Sequence, residues 1–296
     1  MSTVFPDINL SNTQKLDYSK LNILNNKMFV KRDDLIHPII SGNKWRKLKF
    51  NVEYCKQYGY SGIVTFGGAF SNHLIATAEA CRVFGLNSIG YVRGEELNPF
   101  SNKILTECHH RGMELIFINR NKYKEIKRKL GNEIDNKKFY TIPEGGAGYL
   151  GIKGCMEILL ETDNDFDWVV IAQGTTTTSL GVLLSLPSKS KLLVVPALKG
   201  FDAVSEMKEQ LKLSNYSTKF IESKMSQLRV ADTYHFGGFS KTTPILLDFI
   251  KDFSNKNNLR IDSTYNGKAL YALEDIAISE KWSNQKILYI HTGGYE

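Results

Sequence analysis

Short apolar runs alternate along the chain with longer stretches in which apolar residues recur at helical spacing. GIVTFGG at 62–68, WVVIAQG at 168–174 and KLLVVPAL at 191–198 predict strands. SNHLIATAEACRVFG at 71–85 predicts a helix ending at Gly85, and PFSNKILTECHHRG at 99–112 predicts another. The strands are continuous apolar runs, as is typical of sheets covered on both faces. This alternation predicts an α/β fold with parallel sheets.

The order of these segments also predicts two domains. The runs from GIVTF to LIFIN at 115–119 fit a small domain inserted in a larger one that contains both chain ends. We therefore expect a larger, cofactor-binding domain of residues 1–47 and 148–296 and a smaller inserted domain of residues 48–147. No internal repeat or low-complexity linker is present, so the boundary is not a flexible tether.

Composition excludes several functional classes. The formal net charge is +7, but the lysines are scattered, without the basic stripe and interleaved aromatics of a nucleic-acid surface. Four cysteines lie far apart without CxxC or zinc-ligand spacing, which predicts buried free thiols and no metal site. The N-terminus lacks a signal-peptide pattern, and no apolar run reaches membrane-spanning length. Together with reduced thiols, these features predict a cytoplasmic protein.

Four polar, glycine-rich turns follow predicted strands. They are GGAFSNH at 67–73, PEGGAGYLG at 143–151, QGTTTTSLG at 173–181 and HTGG at 291–294. Glycine in one such turn is common for backbone reasons. Ligands of open α/β sheets gather at the carboxyl ends of strands, so four turns of this kind predict a binding site there.

The turn QGTTTTSLG predicts an anion site. Gly174 permits a tight turn, and residues 175–178 offer hydroxyls and successive backbone N–H groups at the start of a helix. The alternative is that one threonine simply caps the helix. Four consecutive threonines exceed what a cap needs, so we favour a site for a phosphate-sized anion. The motif is neither a Walker loop nor GxGxxG.

Ser71 lies at a predicted helix start, so its simplest role is that of an N-cap. The functional alternative is a hydroxyl in a cleft, with Asn72 and His73 beside it. No GxSxG elbow surrounds it, which argues against a hydrolase nucleophile.

The stretch SGNKWRKLKF at 41–50 offers a candidate reactive lysine. The apolar positions Trp45, Leu48 and Val52 recur at helical spacing, and Lys47 beside them is expected to be solvated. Lys44 sits in the first turn, where the helix dipole disfavours a cation. It is either ordinary surface charge or a lysine set apart to form a Schiff base with a phosphate-bearing aldehyde.

Taken together, these segments resemble the 1-aminocyclopropane-1-carboxylate deaminase / D-cysteine desulfhydrase family of pyridoxal-phosphate enzymes. The resemblance runs from about residue 25 to residue 294 and rests on KRDDLIHPIISGNKWRKLKF, VTFGGAFSNHLIATAEAC, GTTTTSLG, YNGKALYAL and IHTGG. It implies the tryptophan-synthase-β-like fold, with two open, twisted, mainly parallel sheets flanked by helices. It also implies pyridoxal 5'-phosphate as cofactor, a small amino-acid substrate and a homodimer.

The resemblance implies roles for individual residues. On the cofactor side, Lys44 would hold the aldehyde and later move protons, Asn72 would bond the phenolic oxygen, and Thr292 would face the pyridine nitrogen. The phosphate would be bound by Gly174, Thr175, Thr176, Thr177 and Thr178. On the substrate side, Ser71 and Tyr265 would act in catalysis, and Asn72 and His73 would help to hold the substrate, His73 at its carboxylate.

Two departures from the deaminase pattern affect the expected reaction. Asn266 stands where the deaminases have a glutamate that protonates the ring nitrogen, which leaves Thr292 as a neutral partner. Phe239, with Tyr234 nearby, aligns with a second tyrosine of the family. Both favour β-elimination, as in D-cysteine desulfhydrase, over opening of a cyclopropane ring. The alternatives are 1-aminocyclopropane-1-carboxylate deaminase and a pyridoxal-phosphate-binding homologue without turnover.

Overall fold

The computed structural model describes residues 3–22, 25–132, 138–162 and 165–294. Its strands belong to two separate sheets. In chain order they are β1 Thr13–Leu16, β2 Lys27–Lys31, β3 Gly62–Gly68, β4 Asn87–Arg93, β5 Met113–Ile118, β6 Phe139–Thr141, β7 Trp168–Gln173, β8 Lys191–Pro196, β9 Leu228–Val230 and β10 Lys286–Ile290.

Helices connect most of the strands. They are α1 Ser19–Asn22, α2 Asn43–Gln57, α3 Asn72–Phe84, α4 Lys103–His110, α5 Arg120–Asn132, α6 Tyr149–Leu160, α7 Thr176–Ser185, α8 Ala203–Leu213, α9 Thr218–Met225, α10 Pro244–Asn257 and α11 Asn266–Ser279. Within the described residues, none of these helices has the length and apolar character needed to cross a bilayer.

The two sheets confirm the predicted architecture. One has six strands in the order β1-β2-β10-β7-β8-β9, and only its β1–β2 pair is antiparallel. The other has four parallel strands in the order β5-β4-β3-β6. Strands β3 and β7 are buried along nearly their whole length, as their continuous apolar sequences predict. The four-stranded sheet lies within residues 62–141, and the division into two domains stays a prediction.

Some elements differ from the sequence prediction. The pattern missed β1, α1, β2, α9 and β9, which are short, and β1 is a polar edge strand. The helix predicted for residues 99–112 begins only at Lys103, because the Asn102 side chain accepts a hydrogen bond from the Leu105 amide at 3.0 Å and so caps it there. All four cysteines are free and buried, as expected.

Helices α2, α6 and α7 pack unusually closely, and this packing fixes the start of α2. A side chain at Gly154 of α6 would overlap the backbone carbonyl of Arg46 in α2. A Cβ atom at Gly181 of α7 would lie 2.5 Å from Cβ of Cys155 in α6. Glycine at both positions lets the backbones approach. The start of α2 is also joined to the start of α7, because Asn43 Nδ2 donates to Thr178 Oγ1 at 3.0 Å.

Candidate active site

A cavity of about 590 Å³ opens at the carboxyl ends of the strands of both sheets. The turns after β3, β7 and β10 all contribute to its wall, as the rule for open α/β sheets predicts. The predicted site residues that line it are Lys44, Ser71, Asn72, His73, Gly174, Thr175, Thr178, Tyr265 and Thr292. Thr176 and Thr177 do not line it. These segments are far apart in the sequence, and the fold brings them together.

Lys44 projects into this cavity from the first turn of α2. The helix begins after Gly42, which has φ +60° and whose missing side chain lets the turn lie against the backbone of Thr292. The Lys44 amine donates to Asn43 Oδ1 at 2.6 Å, and Asn43 Nδ2 donates to Thr178 Oγ1 at 3.0 Å. Burial, and then the positive charge of Lys47, lower the pKa of Lys44 to about 7. Its amine is therefore substantially neutral, and hence nucleophilic, near neutral pH.

The expectation that Lys47 is solvated is wrong. Its side chain is only 2% exposed and lines the cavity one helical turn from Lys44. Its amine donates to the Gly145 carbonyl at 3.0 Å and to Thr175 Oγ1 at 3.1 Å. Burial lowers the pKa of Lys47 to about 8. A second basic group therefore faces the threonine turn, and the sequence analysis missed it.

The start of α7 presents backbone donors to the same cavity. Thr175 is the N-cap residue, but its side chain makes no capping hydrogen bond, so the simple capping role does not hold. The hydroxyls do not all face one point. Thr176 donates to Glu206 at 2.9 Å on the far side, and the Thr177 hydroxyl is buried without a partner in the described part of the chain. Thr175 and Thr178, three residues apart, are the ones that face the cavity.

Ser71 combines both roles considered for it. It is the N-cap of α3, where its hydroxyl accepts from the Leu74 amide at 3.3 Å, and it also lines the cavity. Asn72 is exposed to the cavity beside it.

His73 is buried, and its Nε2 lies 2.9 Å from Thr65 Oγ1. The Thr65 hydroxyl donates its only hydrogen to the Ile142 carbonyl at 2.8 Å, so His73 Nε2 is the donor of that pair. Burial and the nearby charges of Lys47 and Lys44 lower the pKa of His73 to about 3. Its contact with the substrate carboxylate stays a prediction, and a neutral ring supplies no positive charge for it.

Tyr265 forms the part of the cavity wall that packs against Gly174, at the start of the turn before α7. A Cβ atom at Gly174 would lie 3.0 Å from the Tyr265 ring, so glycine is needed there for close approach. The Tyr265 amide donates to Asp262 Oδ1 at 2.6 Å, which fixes the residue at the start of α11. Burial, and then the charge of Asp262, raise the pKa of Tyr265 to about 12, so the phenol keeps its proton at neutral pH.

Thr292 is backed by an amide rather than a carboxylate. Its hydroxyl lies 3.3 Å from Asn266 Oδ1, which also accepts from the Tyr289 hydroxyl at 2.5 Å. Asn266 Nδ2 donates to the carbonyl of Gly293 at 3.0 Å and to the carboxylate of Asp262. Among the cavity-lining residues that the structure describes, the one carboxylate is Glu144, which pairs with Lys127 at 2.6 Å.

Of the two aromatic residues considered for the second tyrosine position, Phe239 is the one at the cavity. Its ring packs edge-on against Tyr265, with centroids 5.9 Å apart. Tyr234 does not line the cavity, and its hydroxyl donates to Asp275 Oδ2 at 2.6 Å. Tyr265 is therefore the only phenol among the described residues that form the wall.

The donor set fits a phosphate-bearing aldehyde. A largely neutral amine, that of Lys44, can condense with a carbonyl group. Elsewhere in the cavity, the uncapped start of α7 and the buried amine of Lys47 offer backbone N–H groups and a cation to a phosphate. Amine and anion site lie in one cavity, so a single ligand can engage both.

The chain belongs to the family described as pyridoxal-phosphate dependent enzymes, whose model matches residues 8–293. The predicted cofactor and the predicted enzyme class are thereby confirmed.

Two curated relatives indicate which branch of this family the chain is similar to. A putative 1-aminocyclopropane-1-carboxylate deaminase of Pyrococcus abyssi is 32% identical over 285 residues, covering 90% of this chain and 84% of the relative. The bifunctional D-cysteine desulfhydrase/1-aminocyclopropane-1-carboxylate deaminase of Arabidopsis thaliana is 29% identical, covering 90% of this chain and 72% of that protein. The resemblance drawn from the motifs is confirmed.

A solved structure supports the same relationship. The crystal structure of a homologue of the same deaminase superposes with a TM-score of 0.77 at 26% sequence identity. The match covers 98% of this chain and 92% of that one, so it includes both sheets and the cavity between them.

We expect Lys44 to titrate near pH 7 in the cofactor-free protein, because burial and the charge of Lys47 disfavour its ammonium form. Competitive acetylation from about pH 5 to about pH 10, followed by mass spectrometry of the Lys44 peptide, measures this titration. Lys47→Met should move the midpoint upward, because it removes a like charge. A midpoint near that of exposed lysines would contradict this assignment.

We expect Thr175→Val to weaken cofactor binding by about 1 kcal/mol, or roughly fivefold, because Thr175 faces the cavity and its hydroxyl contacts Lys47. Thr177→Val is the matched control, since that hydroxyl faces away and is already unpartnered. Equilibrium titration of each cofactor-free variant with pyridoxal phosphate gives the two dissociation constants. Equal effects of the two substitutions would show that the side-chain orientation is wrong.

Proposed function

We propose that this chain is a lyase that releases ammonia and a 2-keto acid from a small amino acid, most readily by D-cysteine desulfhydrase-type β-elimination. The observation that carries this proposal is the Lys44 amine, with its pKa lowered to about 7, in one cavity with the uncapped start of α7. The named activities of the two curated relatives support the same reaction class.

Different residues of the cavity bind the cofactor and move the substrate proton. The cofactor would be held by Lys44, Lys47, Asn72, Gly174, Thr175, Thr178 and Thr292. When bound, it supplies an electron sink for negative charge at the substrate α-carbon. Lys44 is the base that takes the α-proton, because its amine is neutral near neutral pH.

The groups proposed to contact the substrate are hydrogen-bond donors that stay protonated at neutral pH. The start of α3 offers backbone N–H groups to the substrate carboxylate, and the Ser71 hydroxyl lies beside them. Tyr265, whose pKa is raised to about 12, stays protonated and is placed to donate to the departing group.

Two features of the wall favour elimination over ring opening. Thr292 has the neutral Asn266 behind it, so no carboxylate is placed to hold a proton on a ring nitrogen that faces Thr292. Phe239 supplies no second phenol beside Tyr265. Opening of a cyclopropane has no thiolate to depart and needs more help from acids than elimination does. Aminocyclopropane-carboxylate deamination is the second candidate, and the relative of Pyrococcus abyssi carries that name.

A binding protein without turnover is the third candidate, and the intact set of Lys44, Ser71 and Tyr265 argues against it. We also propose that the working enzyme is a cytoplasmic homodimer. Sedimentation velocity of the purified protein measures the oligomeric state.

We expect the enzyme to release keto acid from D-cysteine or β-chloroalanine faster than from 1-aminocyclopropane-1-carboxylate. The reason is the neutral partner of Thr292 and the single phenol of the wall, which leave ring opening with less support. The measurement is kcat/KM for each substrate, scored as pyruvate or 2-oxobutanoate. A wild type that prefers the cyclopropane would contradict the choice of reaction, and release from no amino acid would favour the non-catalytic alternative.

A matched pair of variants tests the reason behind that preference. Phe239→Tyr adds a phenol beside Tyr265 and should raise the ratio of ring opening to elimination. Phe70→Tyr adds the same group at another, more exposed position of the wall and should leave the ratio unchanged. A ratio that moves equally in both variants would show that the position of the phenol does not matter.

A further inference from the structure

Four basic side chains line the cavity, and three of them already have a role or a hydrogen-bond partner. Lys44 is the reactive amine, and Lys47 donates to Thr175 and the Gly145 carbonyl. His73 is a neutral donor to Thr65. The fourth, Arg93, is the only basic residue of this wall that makes no hydrogen bond or ion pair with the described residues.

Arg93 is placed beside the loop that carries Ser71 and Asn72. It is the last residue of β4 and lies opposite Gly68 in the register of β3 and β4. A Cβ atom at Gly68 would lie 3.5 Å from Arg93 Nη2, so the guanidinium sits over that glycine. The Gly68 carbonyl in turn accepts from the Ser71 amide at 3.1 Å. The guanidinium therefore flanks the same loop.

The environment of Arg93 leaves its charge available. Its guanidinium carbon is 5.7 Å from the centre of the Tyr123 ring, a cation–π contact that positions the group without neutralising it. Glu144, the carboxylate of the described cavity wall, is paired with Lys127 at 2.6 Å. The exposed arginine thus faces the cavity as a planar donor fork that matches a carboxylate in geometry and charge.

The loop at the start of α3 offers hydrogen bonds but no full charge. Its donors are neutral backbone N–H groups and the Ser71 hydroxyl. The His73 ring is uncharged at neutral pH, because burial and the nearby lysines lower its pKa to about 3. An amino-acid carboxylate that leaves water for this cavity gains more from a charged partner than from neutral donors alone.

We propose that Arg93 binds the α-carboxylate of the amino-acid substrate, next to the loop of residues 68–72. This inference rests on the proposed function in that it takes the substrate to be an amino acid. It makes Arg93 a substrate-binding residue in addition to those expected from the motifs.

A binding experiment tests this without requiring elimination. The holoenzyme is titrated with the D and L enantiomers of alanine and of alaninamide. Binding is followed by the absorbance of the bound cofactor. These ligands carry no leaving group, and the amide lacks the carboxylate. Arg93→Gln should weaken alanine binding by about tenfold or more and leave alaninamide binding unchanged, because a hydrogen-bonded charge pair is lost only with the acid.

The controls separate local contact from general charge. Lys122→Gln removes an exposed cation of α5 that does not line the cavity, and it should change neither titration. For D-cysteine, Arg93→Gln should raise KM with little change in kcat. Equal weakening of acid and amide, or no weakening of either, would overturn the role of Arg93. If wild type binds alanine through Arg93 but releases no keto acid from any substrate, the proposed function fails and the carboxylate contact stands.

Discussion

The site depends on the burial of two lysine side chains, one helical turn apart, in a single cavity. Neither Lys44 nor Lys47 forms an ion pair with a carboxylate in the described structure, and each has its pKa lowered by burial. Two neighbouring ammonium groups repel each other in such a buried space, so both cannot stay charged there unless an anion is bound. The arrangement therefore calls for one neutral amine and one phosphate-facing cation. In the proposed function, covalent chemistry at Lys44 and phosphate binding at Lys47 meet both requirements.

A buried ion-pair network on another face of α2 holds these lysines in place. Arg46 lies about 200° around the helix from Lys44 and is completely buried. It pairs with Asp33 at 2.8 Å and with Glu161 at 2.5 Å, and Lys31 also pairs with Glu161 at 3.0 Å. Breaking a buried pair of this kind costs about 3–5 kcal/mol, because the remaining charge loses its partner. The network thus fixes the rotation of α2 and, with it, the direction of both amines.

Much of the fold and the site follows from the sequence because strand ends can be recognised locally. The turns after β3, β7 and β10 are each more than 100 residues apart in the sequence, yet they line one cavity. This could be predicted because ligands of open α/β sheets bind at the carboxyl ends of the strands. Gly85 ends α3 in a left-handed conformation, as its position predicted. The short strands β1 and β9 were missed because their residues are partly exposed and do not form a continuous apolar run.

The errors concern the direction of side chains, which depends on tertiary packing. Lys47 follows Lys44 by three residues and therefore lies on the same face of the helix. This spacing could have identified it, but the polar residues around Lys47 made it look like part of a solvated face. Thr176 and Thr177 turn away because four consecutive residues of a helix cannot point to one side. Arg93 is the last residue of strand β4 and does not lie in one of the glycine-rich turns, so only the register of β3 and β4 brings it to the cavity.

The central claim is that Lys44, and not Lys47, carries the cofactor. Reduction of the holoenzyme with borohydride, followed by peptide mapping, distinguishes the two residues directly, since a reduced linkage is stable to proteolysis. We expect the cofactor on Lys44 alone. Lys44→Ala should abolish the attachment, and Lys47→Met should retain it on Lys44. Cofactor trapped on Lys47, or on an exposed lysine such as Lys153, would contradict it.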